Sequence, residues 1–133
     1  MEPIVECIPN FSEGRNEEVI KAIVRTIRAN KGIRLLDYSS DKNHNRSVIT
    51  FIGNPKAVKQ AAFDACLKAT ELIDMTKHMG EHPRMGATDV IPFVPIKDIS
   101  VDECIELSRE LGRKISKELS IPVFLYEDSA TLP

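Results

Sequence analysis

The sequence predicts an α/β fold: a two-layer sandwich with a mixed β-sheet and helices mainly on one face. Short apolar runs rich in β-branched residues alternate with longer segments in which apolar residues recur at helical spacing. The resulting order is β-α-β-β-α-β-α-β. A length of 133 residues suits one domain, and we assign that domain to residues 1–133.

Five segments have the composition of strands. Each is a short run that ends at a polar or proline-containing segment. In order they are Ile4–Ile8, Ile33–Tyr38, Ser47–Ile52, Val90–Ile96 and Pro122–Tyr126. The polar connection SSDKNHNR between the second and third predicts a hairpin. Pro92 and Pro95 remove two backbone donors from the fourth, so we expect an edge strand or an irregular one.

Three helices separate these strands, and each has a recognisable start. Asn16 is placed to cap the first helix. Asn54 is placed to cap the second, with Pro55 at the first helical position. Ser100 and Glu103 form a capping-box pair at the start of the third. Behind each start, apolar residues fall at helical spacing, which predicts one buried face per helix.

The composition argues against several function classes. The net charge is −2, without the basic excess typical of a nucleic-acid-binding protein. No apolar stretch approaches the ~20 residues that a membrane-spanning helix needs. The three cysteines are far apart and include no C-x-x-C pair, so we expect small buried residues in a reducing compartment. We therefore expect a cytoplasmic protein that binds neither nucleic acid nor membrane.

The segment KHMGEHPRMGATD, residues 77–89, raises the question of a metal site. His78, Glu81 and His82 fit the zinc-enzyme pattern H-x-x-E-H. That chemistry needs both histidines on one helical face. A glycine lies between them, however, and Pro83 biases the preceding residue away from the helical region. A zinc hydrolase is therefore the less favoured interpretation, and we expect no metal.

His82 is better suited to proton transfer. An imidazole both takes and gives a proton near neutral pH, and Pro83 fixes the backbone directly after it. Glu81 and Arg84 flank this pair. In open α/β sheets, functional sites gather in loops beyond the strand ends. The competing interpretation is an ordinary polar loop, in which His78 only favours the dipole at the end of the second helix.

Two further polar segments allow a structural and a functional interpretation. SSDKNHNR is either a solvated connection or a binding site for an anion or carboxylate, in which the Arg46 guanidinium donates two hydrogen bonds. In PNFSEGR, which contains Asn10, backbone N–H groups at the start of the first helix can receive an anion. That segment lacks the G-x-G-x-x-G spacing of a dinucleotide loop.

Three stretches resemble one known family: VECIPNFSEGRN, HNRSVITFIGNP and IDMTKHMGEHPRMGATDVIPFVPI. They are similar to the N-terminal subdomain of glutamate formimidoyltransferase (formiminotransferase), and the resemblance spans nearly the whole chain. It implies a folate-dependent transferase of histidine degradation. Such an enzyme moves a formimidoyl group from N-formimidoyl-L-glutamate to N5 of tetrahydrofolate, giving 5-formimidoyltetrahydrofolate and glutamate. The folate co-substrate is held in a positively charged tunnel between two α/β subdomains.

The resemblance places the family's catalytic histidine at His82, as a general acid/base that needs no metal. Both substrates carry carboxylates, which arginine recognises well. Substrate- or folate-binding roles are accordingly implied for Asn10, Asn45, Arg46, Glu81 and Arg84. Roles stay open for Asp37, Asp41, His44 and His78.

The resemblance also implies that a C-terminal subdomain is absent from this chain. The alternative function is therefore a non-catalytic folate-binding or assembly half that needs a partner for activity. Half of a two-subdomain protein leaves an apolar sheet face or edge uncovered. Besides its two small-molecule substrates, we expect the chain to meet further copies in a homo-oligomer or a companion C-terminal subdomain.

Overall fold

The computed structural model describes residues 3–73 and 88–119. Within these ranges the chain forms a sheet of six strands and three helices. The strands are β1 (Ile4–Cys7), β2 (Asn10–Phe11), β3 (Ile33–Asp41), β4 (Arg46–Gly53), β5 (Thr88–Val90) and β6 (Phe93–Lys97). The helices are α1 (Glu17–Arg28), α2 (Pro55–Leu72) and α3 (Val101–Leu119). None of these helices is long and apolar enough to cross a membrane.

The six strands lie in four rows, because two rows are interrupted by proline. β1 and β2 follow each other along β4, while β6 and β5 follow each other along the far side of β1 and β2. β3 pairs with the other side of β4. Proline has no N–H to donate to a ladder, and one lies in each gap. Single hydrogen bonds continue across the gaps, from Ile8 N to Pro92 O and from Ile49 N to Pro9 O, both 3.1 Å.

All three helices contribute to one core on one face of the sheet. Along β1 and β4, alternate residues Val5, Cys7, Ile49 and Phe51 are fully buried, and their neighbours are half-buried or exposed. The buried faces of the helices join these residues in a single cluster. Burying a valine, leucine, isoleucine or phenylalanine side chain contributes roughly 1.5–3 kcal/mol to stability. This cluster is therefore the main source of the fold's stability.

Within residues 3–73 and 88–119, the opposite face of the sheet is not covered by α1, α2 or α3. Glu6 and Ile52 face each other there across β1 and β4, and Val94 lies beside Glu6 on β6. These side chains are only partly buried. We call this surface the open face.

The predicted α/β two-layer class, with helices on one face, is confirmed. The order of elements is also as predicted over residues 3–73 and 88–119, except that the fourth predicted strand is split at Pro92 and that a two-residue strand, β2, follows the first predicted strand beyond Pro9. Every pairing between these strands is antiparallel. The predicted strand Pro122–Tyr126, on which a mixed sheet depends, lies outside the described residues.

The predicted helix starts are confirmed. The Asn16 Oδ1 atom accepts hydrogen bonds from Glu18 N at 3.0 Å and Val19 N at 3.4 Å. Asn54 Oδ1 accepts from Ala57 N at 2.8 Å. At the third helix the capping box is reciprocal: Ser100 N donates to Glu103 Oε1 at 2.9 Å, and Glu103 N donates to Ser100 Oγ at 3.1 Å.

The connection between β3 and β4 is shorter than predicted. β3 continues to Asp41, where Ser39, Ser40 and Asp41 pair with the first three residues of β4. Polar side chains do not end a strand when backbone partners are available, because the ladder uses only N–H and C=O groups. The hairpin itself is confirmed, and its turn consists of residues 42–45.

Candidate functional site

Four strand ends meet at one end of the sheet, which we call the loop end. Phe11, the last residue of β2, faces Ser47 on β4 and Thr88 on β5. Asp41, the last residue of β3, pairs with Arg46, the first of β4. The β2–α1 loop, the β3–β4 turn and the point where the chain re-enters the sheet at β5 therefore lie together.

The β2–α1 loop is bound directly to the β3–β4 turn. Gly14 N donates to Asn45 Oδ1 at 2.8 Å, and Arg15 Nε donates to Lys42 O at 2.9 Å. Gly14 lies so close to the turn that a Cβ added to it would be 2.5 Å from Arg46 N and 2.6 Å from Arg46 O. It would also meet Asp41 O. Only glycine fits there, so Gly14 and Arg15 together hold the β2–α1 loop directly against the β3–β4 turn.

Asn45 has a structural function at this contact. Its φ of 51° is in the left-handed region, which asparagine tolerates better than most residues. Its side-chain oxygen accepts the Gly14 hydrogen bond described above. Asn45 was predicted to contact substrate or folate. That role stays a prediction, while the structure shows that one end of its amide already holds the loop.

Asp41 and His44 form a close pair within the turn. Asp41 Oδ1 accepts from Asn43 N at 2.9 Å and from His44 N at 3.3 Å. Asp41 Oδ2 lies 2.6 Å from His44 Nδ1. The hydrogen bond from the His44 side chain is the main reason why the pKa of Asp41 is below its ordinary value; the backbone hydrogen bonds from the turn add to it.

The predicted residues Asn10 and Arg46 lie near each other on the open face. Asn10 is opposite Val48, and Arg46 precedes Val48 by two residues. Side chains two apart on a strand share a face, and such diagonal neighbours are about 7–8 Å apart. Asn10 Nδ2 donates to Ile8 O at 3.1 Å. Asp41, directly opposite Arg46, belongs to the same face.

The open face at the loop end thus carries an amide, a guanidinium and a carboxylate–imidazole pair. This combination can bind a carboxylate through Arg46 and accept or donate a proton through His44. The family resemblance implies binding roles for Asn10 and Arg46 but leaves the roles of Asp41 and His44 open. An Asp three residues before a His in a hairpin turn was the signal that could have identified the pair, because Asp side chains commonly accept from the following backbone N–H groups.

The other predicted site residues lie outside the described residues. These are His78, Glu81, His82 and Arg84, and nothing in the structure tests their predicted roles. The segment that contains them follows Ile73, just after α2, and ends at Thr88. Within residues 3–73 and 88–119, no group of three or more His, Cys, Asp or Glu residues could hold a metal ion.

The three cysteines are buried, as predicted. Burial raises the pKa of each thiol, most strongly at Cys7, which is fully enclosed. A thiol with a raised pKa is a poor nucleophile near neutral pH. The cysteines therefore belong to the core and not to the site.

Comparison with known proteins gives a consistent result. The family model described as "Formiminotransferase domain, N-terminal subdomain" matches residues 4–133. The chain is 60% identical over 133 residues to a glutamate formimidoyltransferase of Streptococcus pyogenes serotype M1, covering 100% of this chain and 44% of that protein. It is 48% identical over 130 residues to a glutamate formimidoyltransferase of Thermoplasma acidophilum, covering 98% of this chain and 43% of that protein.

A bifunctional relative shows the same partial coverage. The chain is 48% identical over 133 residues to a formimidoyltransferase-cyclodeaminase of Rattus norvegicus, covering 100% of this chain and 25% of that protein. The chain therefore spans less than half the length of each of these relatives.

Proposed function

Because the chain belongs to the formiminotransferase N-terminal subdomain family, we propose that it forms the N-terminal part of a glutamate formimidoyltransferase. The substrates are N-formimidoyl-L-glutamate and tetrahydrofolate, the products 5-formimidoyltetrahydrofolate and glutamate, and the pathway is histidine degradation in the cytoplasm. The observation that carries the proposal is the 60% identity, over the full 133 residues, to a protein named for this activity.

The reaction is an exchange of amines at one carbon. N5 of tetrahydrofolate attacks the amidine carbon of formimidoylglutamate and gives a tetrahedral intermediate. The bond to the glutamate nitrogen then breaks, and the formimidoyl group stays on N5. N5 must lose a proton, and the glutamate nitrogen must gain one in order to leave as an amine. His82 is proposed as the general acid/base for this exchange.

The position of the strand ends supports a site at the loop end. His82 is six residues before Thr88, and six residues span at most about 20 Å. From β5 across β2 and β4 to β3 there are three strand spacings, or about 15 Å. A segment of six residues is therefore long enough to extend from β5 to Asn10 and Arg46, which supports the proposal that His82 acts at this end of the sheet.

Arg46 and Arg84 are proposed to hold the carboxylates of the two substrates. A guanidinium binds a carboxylate through two parallel hydrogen bonds, which orients as well as attracts the ligand. Asn10, Asn45 and Glu81 complete the proposed binding set. Arg46 is exposed at the start of β4, where an incoming carboxylate has access to it.

A companion subdomain is proposed to cover the open face. The relatives named above are more than twice as long as the matched region, and the open face carries the partly exposed apolar side chains of Ile52 and Val94. Apolar surface of this kind is favoured at interfaces. In the complete enzyme the substrates would then bind between this face and the C-terminal subdomain, and the assembly would be an oligomer of such units.

Transfer of the formimidoyl group by the complete enzyme, with this chain joined to its C-terminal subdomain, is the direct test. We expect turnover in the wild type and a loss of about 100-fold or more in kcat on His82→Ala, since a positioned acid/base contributes 10²–10⁴-fold. Absence of transfer by the wild type would contradict the proposal. Calorimetry with 5-formyltetrahydrofolate would then identify the alternative: tight binding without turnover indicates a non-catalytic folate-binding half.

A further inference from the structure

We propose that His44, oriented by Asp41, is a second proton-transfer residue of this site and accepts the proton that N5 of tetrahydrofolate loses. The inference rests on the proposed function and assigns one of its two proton transfers to a residue that the family resemblance leaves without a role. The geometry that points to it is the 2.6 Å separation between Asp41 Oδ2 and His44 Nδ1.

This contact determines which ring nitrogen can act as a base. An ionised carboxylate can only accept a hydrogen bond, and the lowered pKa of Asp41 keeps it ionised at neutral pH. The Nδ1 atom must therefore carry the proton. In a neutral imidazole, the other nitrogen, Nε2, is then the one with a free lone pair. The His44 side chain is 77% exposed, so a ligand can reach it.

Asp41 is itself held in place by the turn. Its other oxygen accepts two backbone hydrogen bonds, from Asn43 N and His44 N. The β3–β4 turn is also held by the β2–α1 loop, which donates hydrogen bonds to Lys42 O and Asn45 Oδ1. A catalytic group needs such support, because a base that moves by an ångström loses its alignment with the reacting atom.

The charges around the pair favour an anionic ligand. Arg46 lies opposite Asp41 on β4, Lys42 belongs to the turn, and Arg15 reaches the turn from the β2–α1 loop. Glu13 is the acidic residue of that loop, and it accepts from Arg15 N at 3.1 Å and Asn16 N at 2.8 Å. Among the described residues of the turn, the β2–α1 loop and the start of β4, these three cations against Glu13 and Asp41 give a net positive charge beside His44, which suits substrates that carry carboxylates.

The proton balance of the step is complete without an additional reactant. As the N5–C bond forms, the N5–H proton passes to His44 Nε2, giving an imidazolium stabilised by Asp41. A proton from His82 passes to the glutamate nitrogen as its bond to carbon breaks. One proton has moved from N5 to the leaving amine. Exchange with water then returns both imidazoles to their starting states.

The test compares three variants of the complete enzyme. His44→Gln removes the base. Asp41→Asn keeps an oxygen for the turn but presents N–H groups to Nδ1, which forces the proton onto Nε2. Asn43→Ser is the matched control, because only its backbone N–H is used in the turn. A role in folding alone would leave Asp41→Asn nearly as active as the wild type.

We expect His44→Gln and Asp41→Asn each to lower kcat by about 100-fold, with Asn43→Ser within twofold of the wild type. In His44→Gln the limb of the kcat/KM–pH profile that belongs to the base should disappear. A loss of less than tenfold in kcat in either variant overturns the inference and leaves both transfers to His82. That outcome leaves the proposed function intact if the wild type turns over and His82→Ala does not.

The tautomer of His44 provides a readout that does not depend on turnover. Nitrogen-15 NMR of the 133-residue chain distinguishes a protonated Nδ1 from a protonated Nε2. We expect proton on Nδ1 in the neutral ring of the wild type and on Nε2 in Asp41→Asn. Proton on Nε2 in the wild type overturns the inference, whatever the activity.

Discussion

The backbone N–H of Gly14 and the side-chain oxygen of Asn45 are joined by a 2.8 Å hydrogen bond between residues that are 31 positions apart in sequence. This bond connects the β2–α1 loop to the β3–β4 turn and so brings the polar residues of both segments to one end of the sheet. Three predictions test the contact and the turn that it holds.

Gly14→Ala should destabilise the fold. The added Cβ would lie 2.5–2.6 Å from the backbone N and O of Arg46, and backbone atoms of a paired strand cannot move aside cheaply. Overpacking of this kind costs about 1–3 kcal/mol, measurable by urea unfolding monitored by circular dichroism. Ser116→Ala, on the exposed surface of α3, is the control and should stay within about 0.5 kcal/mol of the wild type. A Gly14→Ala protein as stable as this control would show that the loop does not lie against the turn.

Asn45→Ala should cost more than Asn45→Gly. Both substitutions remove the acceptor for Gly14 N, which is worth about 0.5–1.5 kcal/mol. Alanine must in addition occupy the left-handed region, at φ 51°, which costs about 1–2 kcal/mol that glycine does not incur. The difference between the two unfolding free energies isolates the backbone effect. Equal values, or a greater loss with glycine, would be incompatible with a left-handed conformation at this position.

The stability of the protein should depend on Asp41 at acid pH. Because the folded-state pKa of Asp41 is lowered, its carboxylate stabilises the fold above the ordinary aspartate pKa of about 3.9. That contribution is lost as the pH falls through the lowered value, where Asp41 takes up a proton. Asp41→Asn should therefore flatten the decline in unfolding free energy below about pH 4 relative to the wild type. Urea unfolding between pH 5 and pH 2 measures both slopes, and parallel curves would refute the prediction.

Local signals in the sequence predicted the helices well. Asn16, Asn54 and the Ser100–Glu103 pair act within three residues of themselves, so their function can be recognised without knowing the fold. The same holds for the alternation of buried residues along β4. The α/β class and the order of elements depend on such local patterns.

The arrangement of the site depends on contacts between distant parts of the chain. Neither Gly14 nor Asn45 has a local pattern that indicates its partner, and the length of β3 is set by the residues of β4 that pair with it. Arg46 and Asn10 share a face only because β2 continues the row of β1 beyond Pro9. For these reasons the composition of the site could be predicted, whereas the contact between Gly14 and Asn45 that supports the Asp41–His44 pair could not.

Two prolines interrupt neighbouring rows of the sheet. Pro9 and Pro92 lie at about the same position along the strand direction, since Ile8 N donates to Pro92 O. Of the rows next to these two prolines, only β4 continues without a break. Beyond these prolines, β2 and β5 have two and three residues, and so few ladder bonds hold them. The local opening that lets amide protons of β2 and β5 exchange with solvent should therefore cost less free energy than the opening that exposes those of β1 and β4. The part of the sheet that carries Asn10 can accordingly adjust to a ligand while the core beneath α2 stays closed.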